Sequence, residues 1–381
     1  HNAWTTDDGR YAFTTDERAN APVTAFDISD PRDIVELDQY RPIGTIGSGV
    51  IPHNVHVKNQ FLAISYYTDG ARIVDASRPA NLVEIANYDT NDDFSSGFHG
   101  AWGLYPFLPS GVVLVTDIEN GLYVLDVDYV RAAWLEGRVR DAASNAAVRD
   151  VAVEIVAEQA NAAITDRLGD YRTGLASSGA FEVVFRHPAY YEKRVPVTLA
   201  NGEVTALDVL LEPKPRYRLG GRIITEADRA PVAEALVRLA NDDFTYTAQT
   251  GADGRFELTD VIEGDYELVA VAWGFLHQRI ADLALQNEAS VTVTLEAGYQ
   301  DDFLFDLGWT TDGTAPVGRW ERGVPDGTRS GSRYASPPAD IESDLGDQCY
   351  VTGNGGGNVG DDDVDNGTAI LRSPIFDLSD Y

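Results

Sequence analysis

The densest group of chemistry-bearing side chains in this 381-residue chain is Gly360-Asp-Asp-Asp-Val-Asp-Asn-Gly367. Asp361, Asp363 and Asp365 stand at alternate positions, so three carboxylates can turn toward one point, and Ca²⁺ takes about six to eight oxygens of this kind. Like charges held that close repel unless a cation neutralises them. The loop is not an EF-hand: its sixth position is Asn366 rather than Gly, and its twelfth is Arg372 rather than Glu. Two readings stay open. One is a calcium loop of another kind, with Asp301, Asp302 and Asn354 as distant ligands; the other is a solvated acidic turn. The expectation is that Asp361, Asp363 and Asp365 bind Ca²⁺ once the domain around them is complete.

Four histidines recur in step, at His1, His53, His56 and His99. Imidazole is a common metal ligand. A histidine repeated in every unit fits a structural role better, since a site needs only one set; each would open a strand and bond the backbone of a neighbouring unit. Asp27, Asp75 and Asp126 close equivalent strands 48 and 51 positions apart, which suits carboxylates that cap turns. Nucleophilic chemistry finds little footing. Gly47-Ser-Gly49 lacks the spaced glycines of a nucleophile elbow, and Cys349 has no histidine nearby in sequence. The chain contains no His-Glu-x-x-His, phosphate loop or dinucleotide fingerprint. Trp4, Trp102, Trp134, Trp273, Trp309 and Trp320 include candidate sugar platforms, although burial in a β core is the commoner fate of Trp. No catalysis is expected within this segment.

Composition narrows the partners. Lys+Arg number 29 against 61 Asp+Glu, a net charge of −32, and that field repels nucleic acid and anionic lipid. Only Lys58, Lys193 and Lys214 are lysines; a saline habitat and a GC-rich genome account equally for such a surface. With 44% apolar and 24% charged residues the chain is built to fold, and its length allows several domains. A single cysteine rules out a disulfide framework. No run of 18 apolar residues occurs, so no membrane insertion is expected in this segment. The chain has no methionine and opens His-Asn-Ala-Trp, and it is expected to be a fragment cut at both ends.

The elements that must position these residues are short strands in repeats. Residues 1–132 carry three units. Each has an alternating strand (Tyr11-Ala-Phe-Thr-Thr, Phe61-Leu-Ala-Ile-Ser, Val112-Val-Leu-Val-Thr) followed by one ending in Asp. Two add a further strand, Ile34-Val-Glu-Leu and Leu82-Val-Glu-Ile, which the third lacks. A period of about 40–50 residues with turn signals in each unit predicts propeller blades, of which about four to eight close a ring. Together with Asp27-Ile-Ser-Asp-Pro31 and Val74-Asp-Ala-Ser-Arg-Pro79, these units resemble the LVIVP-repeat propellers of bacterial choice-of-anchor B surface proteins. That resemblance covers about a third of the chain and implies export and attachment at the envelope.

A module of about eighty residues then occurs twice. Copy one runs Leu135-Glu-Gly-Arg-Val139, Val151-Ala-Val-Glu-Ile155, Gly169-Asp-Tyr-Arg172, Phe181-Glu-Val-Val-Phe185 and Leu207-Asp-Val-Leu-Leu211. Copy two answers with Leu219-Gly-Gly-Arg-Ile223, Ala235-Leu-Val-Arg-Leu239, Gly254-Arg-Phe-Glu-Leu258, Tyr266-Glu-Leu-Val-Ala-Val271 and Val291-Thr-Val-Thr-Leu295. Asp253-Gly254 supplies the positive φ of a tight hairpin, from which Phe256 and Leu258 point inward. The pattern resembles carboxypeptidase regulatory-like domains, which implies a transthyretin-like sandwich at 133–214 and another at 215–298, with Gly-Asp-Tyr turns shared between them. From 299 the texture turns to Gly, Asp and Trp; Trp309, Trp320-Glu-Arg-Gly323, Tyr350-Val-Thr-Gly353 and Ser373-Pro-Ile-Phe-Asp-Leu378 resemble the opening half of a MAM-like jelly-roll, expected to stop short within 299–381.

The fold class expected is all-β: a partial β-propeller, two tandem Ig- or transthyretin-like β-sandwiches and a partial jelly-roll. The function expected is non-catalytic, in a secreted or outer-cell-surface protein that binds, adheres or spaces, with an extracellular protein or polysaccharide as ligand. Two alternatives stay open: an accessory region of a secreted metallocarboxypeptidase or other hydrolase, and a carbohydrate-binding segment of a polysaccharide-degrading system.

Overall fold

A computed structural model describes residues 2–91, 93–157 and 161–379. Among them every regular element is a β-strand except one 3-10 turn at Ile43–Thr45, and no sheet closes into a barrel. No helix is long and apolar enough to cross a membrane. The chain forms two compact units, residues 1–213 and 214–381.

The first unit opens with three antiparallel sheets whose strands follow in sequence order. Sheet 1 holds β1 (Asn2–Thr5), β2 (Tyr11–Thr15), β3 (Val23–Asp27) and β4 (Val35–Tyr40). Sheet 2 holds β5 (Asn54–Lys58), β6 (Phe61–Ser65), β7 (Ala71–Asp75) and β8 (Val83–Tyr88). Sheet 3 has only β9 (Ala101–Tyr105), β10 (Val113–Asp117) and β11 (Gly121–Leu125). The pleat sends alternate side chains to opposite faces, and these sequences use both. Phe13, Val23 and Ala25 of sheet 1 meet Leu62, Ile64 and Val74 of sheet 2 in one core. The opposite face of sheet 2, with Phe61, Ala63 and Ile73, meets Ala101, Val113 and Val115 of sheet 3 in another. A register shift falls at the same place in both four-stranded sheets, at Ala25/Phe26 and at Ile73/Val74, so the outer strand turns away in the same manner.

Asp75 ties sheet 2 to the segment leading out of sheet 3. It is fully buried. One carboxylate oxygen accepts hydrogen bonds from the Ser77 amide (2.9 Å), the Ser77 hydroxyl (2.7 Å) and Arg131 Nη1 (2.9 Å), and the other from the amide of Ala132 (2.9 Å). Trp134, also buried, donates from Nε1 to the Asn81 carbonyl (3.2 Å). A charge removed from water is tolerable only when its lone pairs are taken, and here all the donors converge on one turn.

A β-sandwich comes next: β12 (Ala133–Asp141), β13 (Ala152–Val156), β14 (Asn161–Ile164), β15 (Asp170–Leu175), β16 (Gly179–Arg186), β17 (Lys193–Leu199), β18 (Val204–Ala206) and β19 (Val209–Leu211). One sheet runs β15-β12-β18, with β19 also parallel to β12; the other runs β14-β13-β16-β17. The second unit repeats it with β20 (Arg216–Thr225), β21 (Leu236–Ala240), β22 (Thr245–Gln249), β23 (Arg255–Ile262), β24 (Gly264–Val271), β25 (Gln278–Leu285) and β26 (Ala289–Leu295). Its sheets run β23-β20-β26 and β22-β21-β24-β25, the same order. Both are Ig-like, each with its own core: Leu135, Ile155, Phe185 and Leu211 in the first, Leu219, Leu239, Leu268 and Leu295 in the second. Phe256 and Leu258 point inward as expected.

The duplication reaches single atoms. Thr165 accepts from the Val151 amide (2.9 Å) and donates to the Val148 carbonyl (2.8 Å); Thr250 accepts from the Ala235 amide (2.8 Å) and donates to the Val232 carbonyl (2.7 Å). Gly169 (φ +77°) and Gly254 (φ +72°) occupy equivalent turns, where a Cβ would lie 2.4 Å from the Val139 carbonyl oxygen and 2.5 Å from that of Ile223. The shared Gly-Asp-Tyr turns are a correction: Gly169-Asp-Tyr171 leads into β15, whereas Gly264-Asp-Tyr266 opens β24. The fourth strand of copy two begins instead after Gly254, because close approach to the first strand, not the triplet, sets the equivalence.

From 299 onward pairing is sparse. Thr310–Gly313 pairs with Ala369–Arg372, Trp320–Gly323 with Cys349–Thr352, and Arg329–Ser330 with Arg333–Tyr334. Among the described residues of this stretch, Ala315 is the buried apolar one. Trp273, Tyr299 and Phe376 cluster with centroids 4.7–5.3 Å apart, and Trp273 Nε1 donates to the Ile375 carbonyl (2.8 Å).

Replacing Thr165 or Thr250 by Val leaves a buried amide and carbonyl unpaired. Each substitution is expected to cost about 1–3 kcal/mol in urea unfolding, with similar values at the two sites. Unequal costs would mean that the two staples are not equivalent. Asp75→Ala is expected to destabilise the first unit by about 2–4 kcal/mol, the partial exposure of Arg131 keeping the cost below that of a fully buried pair. Asp27→Ala, at the equivalent exposed turn, should leave its thermal unfolding unmoved.

Candidate functional site

The acidic loop is held by its own backbone. Asp361 accepts from the Asn358 amide (2.8 Å) and Asp362 from the Gly355 amide (2.9 Å). Asp361, Asp363 and Asp365 are exposed, and Asn366 takes a left-handed φ of +53°. The distant oxygens are engaged elsewhere. Asp301 accepts from the Phe303 amide (2.9 Å) and Trp309 Nε1 (2.8 Å), Asp302 faces His277 Nδ1 (3.1 Å), and Asn354 Oδ1 accepts from the Asp326 amide (2.9 Å). Among the described residues no three His, Cys, Asp or Glu side chains gather as a metal-holding group. This arrangement does not bring the three carboxylates to one point.

The histidines are separated by aromatic rings. His53 bonds through Nδ1 to the Trp102 carbonyl in sheet 3, the inter-unit backbone contact expected of it, and its Nε2 lies 3.4 Å from Glu17. His56 packs on Trp4 (4.8 Å) and Phe107 (5.9 Å), and burial holds its imidazole below the usual range. His99 stacks on Phe94 at 3.8 Å and meets Glu119 at 2.7 Å; that bond, with the Gly100 amide, holds the Glu119 carboxyl down. His1 lies outside the described residues. Asp27 and Asp75 cap turns by accepting from Ser29 and Ser77, and Asp126 accepts from the Val127 amide (3.1 Å). The link from Asp75 to Arg131 had no sequence signal, since 56 residues separate the partners.

Burial, then Asp340 and Asp344, pushes the Cys349 thiol up, the reverse of what a nucleophile needs. Trp134 is buried, Trp309 is tied to Asp301, and Trp4 and Trp102 expose part of their rings.

A cleft of about 1100 Å³, not foreseen from sequence, lies in the first unit between β4 and β8 on one side and β14 and β15 on the other. Arg72 anchors its floor, 3.1 Å from Glu84 and 3.4 Å from Asp69, while Tyr40 donates to Glu84 and Thr45 to Asp69 (2.5 Å). Burial raises the Asp69 carboxyl and drives the Tyr40 phenol well above its ordinary range. Burial works against the Arg72 charge, but Glu84, Tyr40 and Asp69 outweigh it and raise its pKa. These groups satisfy one another, which suits a recess that receives a ligand better than one that transfers protons.

A search of curated proteins finds no match to this chain. Solved structures similar to it include a streptococcal ancillary pilin (13% identity, 51% of this chain and 77% of that one, TM-score 0.32). The minor pilin of Streptococcus agalactiae is similar at 11% identity, over 45% of this chain and 99% of that one, with TM-score 0.29. A type II cohesin–X-dockerin complex from Acetivibrio cellulolyticus is similar at 23% identity, over 22% and 58%, with TM-score 0.19. At these TM-scores the likenesses carry nothing further. The family model for the carboxypeptidase regulatory-like domain matches residues 135–212 and 218–297. The two sandwiches, β12–β19 and β20–β26, are carboxypeptidase regulatory-like domains in tandem.

Proposed function

We propose that this chain is a non-catalytic part of an extracellular or cell-surface protein, in which tandem β modules present or space a binding surface. The observation that carries this reading is the pair of regulatory-like sandwiches, each closed around its own core with the same strand order. The buried hydroxyls of Thr165 and Thr250 are spent on architecture. The strongly acidic composition supports solubility outside a lipid surface and argues against nucleic acid as partner. The finer reading of sheets 1–3 is as consecutive propeller blades of the LVIVP-repeat kind, supported by the sequential strand order in all three and the bulge repeated in sheets 1 and 2. Residues 299–381 are read as part of a MAM-like jelly-roll, supported by their Trp- and Gly-rich texture. The regulatory-like domains favour one second reading, an accessory region beside a hydrolase domain.

The purified chain is expected to turn over no peptide, ester or glycoside substrate. Turnover abolished by a point substitution within these residues would overturn the reading. For the acidic loop, calorimetric titration of Ca²⁺ is expected to show weak or no heat with this chain and binding once the surrounding domain is complete, lost in Asp363→Ala. Equal binding by Asp363→Ala, or none by the completed domain, leaves Asp361, Asp363 and Asp365 as a solvated turn.

A further inference from the structure

Every strand that borders the cleft in the first unit is the edge of its sheet: β4 ends sheet 1, β8 ends sheet 2, and β14 and β15 end the two sheets of the first sandwich. An edge strand keeps a row of backbone donors and acceptors that no neighbour takes. Which groups these are in β14 follows from its register. The Thr165 amide donates to the Val151 carbonyl (3.0 Å), and Ala163 stands opposite Val153 two residues along. Bonded and outward-facing residues alternate in an antiparallel strand, so the amides and carbonyls of Ala162 and Ile164 point away from β13. Both residues line the cleft. The strand Asn161–Ile164 carries no charge, no proline and no bulge to guard that edge.

The duplicated module supplies a control. Because Thr165 and Thr250 are equivalent, Ala162 and Ile164 correspond to Thr247 and Gln249 of β22. The second copy has polar side chains at these places; the first has an alanine and an isoleucine that is 70% exposed. Across the cleft, Ile43 and Ile46 are exposed as well. The carboxylates of the lining are engaged: Asp38 by the Leu82 (2.6 Å) and Gln39 (2.8 Å) amides, Glu84 by Arg72 (3.1 Å), Asp170 by Arg138 (2.9 Å). Asp166 caps the Leu168 (2.8 Å) and Asp170 (2.9 Å) amides, and Arg41 donates to the Asn20 carbonyl (3.0 Å) and Gln39 (3.1 Å). Arg172 is exposed and, among the described residues, makes no hydrogen bond or ion pair through its guanidinium. Asp38 and Asp170 feel its charge but bond elsewhere, and Glu136, opposite it on β12, is held by Arg78 (2.8 Å) and Asn81 (3.1 Å). A guanidinium left over among engaged carboxylates is the complement of a carboxylate on the ligand. The aromatic rings of the described lining are Tyr40 and Tyr171, both buried, and Phe181, packed on the sandwich core, so no exposed platform is offered to a sugar.

We propose that the cleft takes an extended peptide segment of another protein, which adds as a strand to the edge of β14 and sets an acidic side chain against Arg172. The proposal rests on the reading of the chain as a binding module and names what it binds. In such strand addition the main chain supplies affinity and alternate side chains supply specificity. Here the main-chain partners are Ala162 and Ile164, the exposed isoleucines meet apolar side chains of the peptide, and Arg172 selects its charge. A cleft of about 1100 Å³ lies just above the roughly 300–1,000 Å³ of small-molecule pockets and leaves room for several residues of chain.

The test selects a displayed library of short random peptides on the whole chain. Sequences enriched on the wild type and lost on Ile164→Lys are synthesised and titrated by fluorescence anisotropy. They are expected to alternate apolar and polar residues and to carry Asp or Glu. Methylating every second backbone nitrogen of such a peptide should abolish binding in one phase and spare it in the other, because only alternate amides reach β14. Arg172→Gln should weaken a Glu-containing peptide about tenfold and leave its Gln analogue unmoved. Ile164→Pro removes an outward N–H and should block the same peptides; where it alters the circular dichroism spectrum, Ile164→Lys and Arg172→Gln decide. The proposal is overturned if no peptide distinguishes the wild type from Ile164→Lys, or if the binders ignore the phase of methylation or Arg172. It is equally overturned if sedimentation velocity shows the free chain pairing with a second copy in a manner lost in Ile164→Lys. None of these outcomes touches the non-catalytic reading, which turnover alone decides.

Discussion

A β-sheet with apolar side chains on both faces cannot stand in water as a single layer, and the rest of this structure depends on that constraint. Burying apolar surface contributes about 25 cal/mol per Å², so each uncovered face is a large unfavourable term. Sheets 1, 2 and 3 meet it by stacking front to rear, which gives sheet 2 two distinct cores. The regulatory-like domains meet it by folding one sheet over another. In both solutions the alternation along each strand, not its hydrogen bonding, decides which neighbour is needed.

The charged groups obey a related rule. In a chain this acidic, buried carboxylates survive where donors converge on them: Asp75 under Ser77, Arg131 and Ala132, and Asp69 beside Arg72 and Thr45. These clusters hold sheets and turns in place. Exposed carboxylates such as Asp361, Asp363 and Asp365 remain in solvent, where water screens their repulsion. Chemistry needs an unsatisfied group aimed at a substrate. The carboxylates of Asp75 and Asp69 are aimed at the protein itself.

The two regulatory-like domains show how a duplicated core tolerates divergence. Their linings keep Leu135/Leu219, Val153/Val237 and Leu211/Leu295 and change at Ile155/Leu239, Val183/Leu268 and Phe185/Ala270, while the buried threonines and the close-approach glycines stand at matching places. Volume in an apolar core can be redistributed among neighbours. A buried amide has no such latitude, and neither does a turn with a carbonyl about 2.5 Å from the missing Cβ. What persists between the copies is therefore the polar and steric punctuation together with part of the apolar lining.

Much of this was legible in the sequence, because periodicity is local. The apolar run Phe61-Leu-Ala-Ile, the alternation in Val291-Thr-Val-Thr-Leu, the positive-φ turn at Asp253-Gly254 and the duplication of the sandwich all depend on neighbours within a strand or a hairpin. The capping roles of Asp27 and Asp75 were readable for the same reason, since Ser29 and Ser77 lie two residues away. Tertiary structure alone decided the rest. It brought Arg131 to Asp75, separated His53, His56 and His99 onto different aromatic rings, assembled the cleft over Arg72 and Glu84, and made the two Gly-Asp-Tyr triplets unrelated. Each of these joins residues far apart in the chain, through contacts between faces that a strand pattern identifies as apolar or polar without naming the partner. Local preference determined what each strand could be; the covering of its faces determined where its side chains would act.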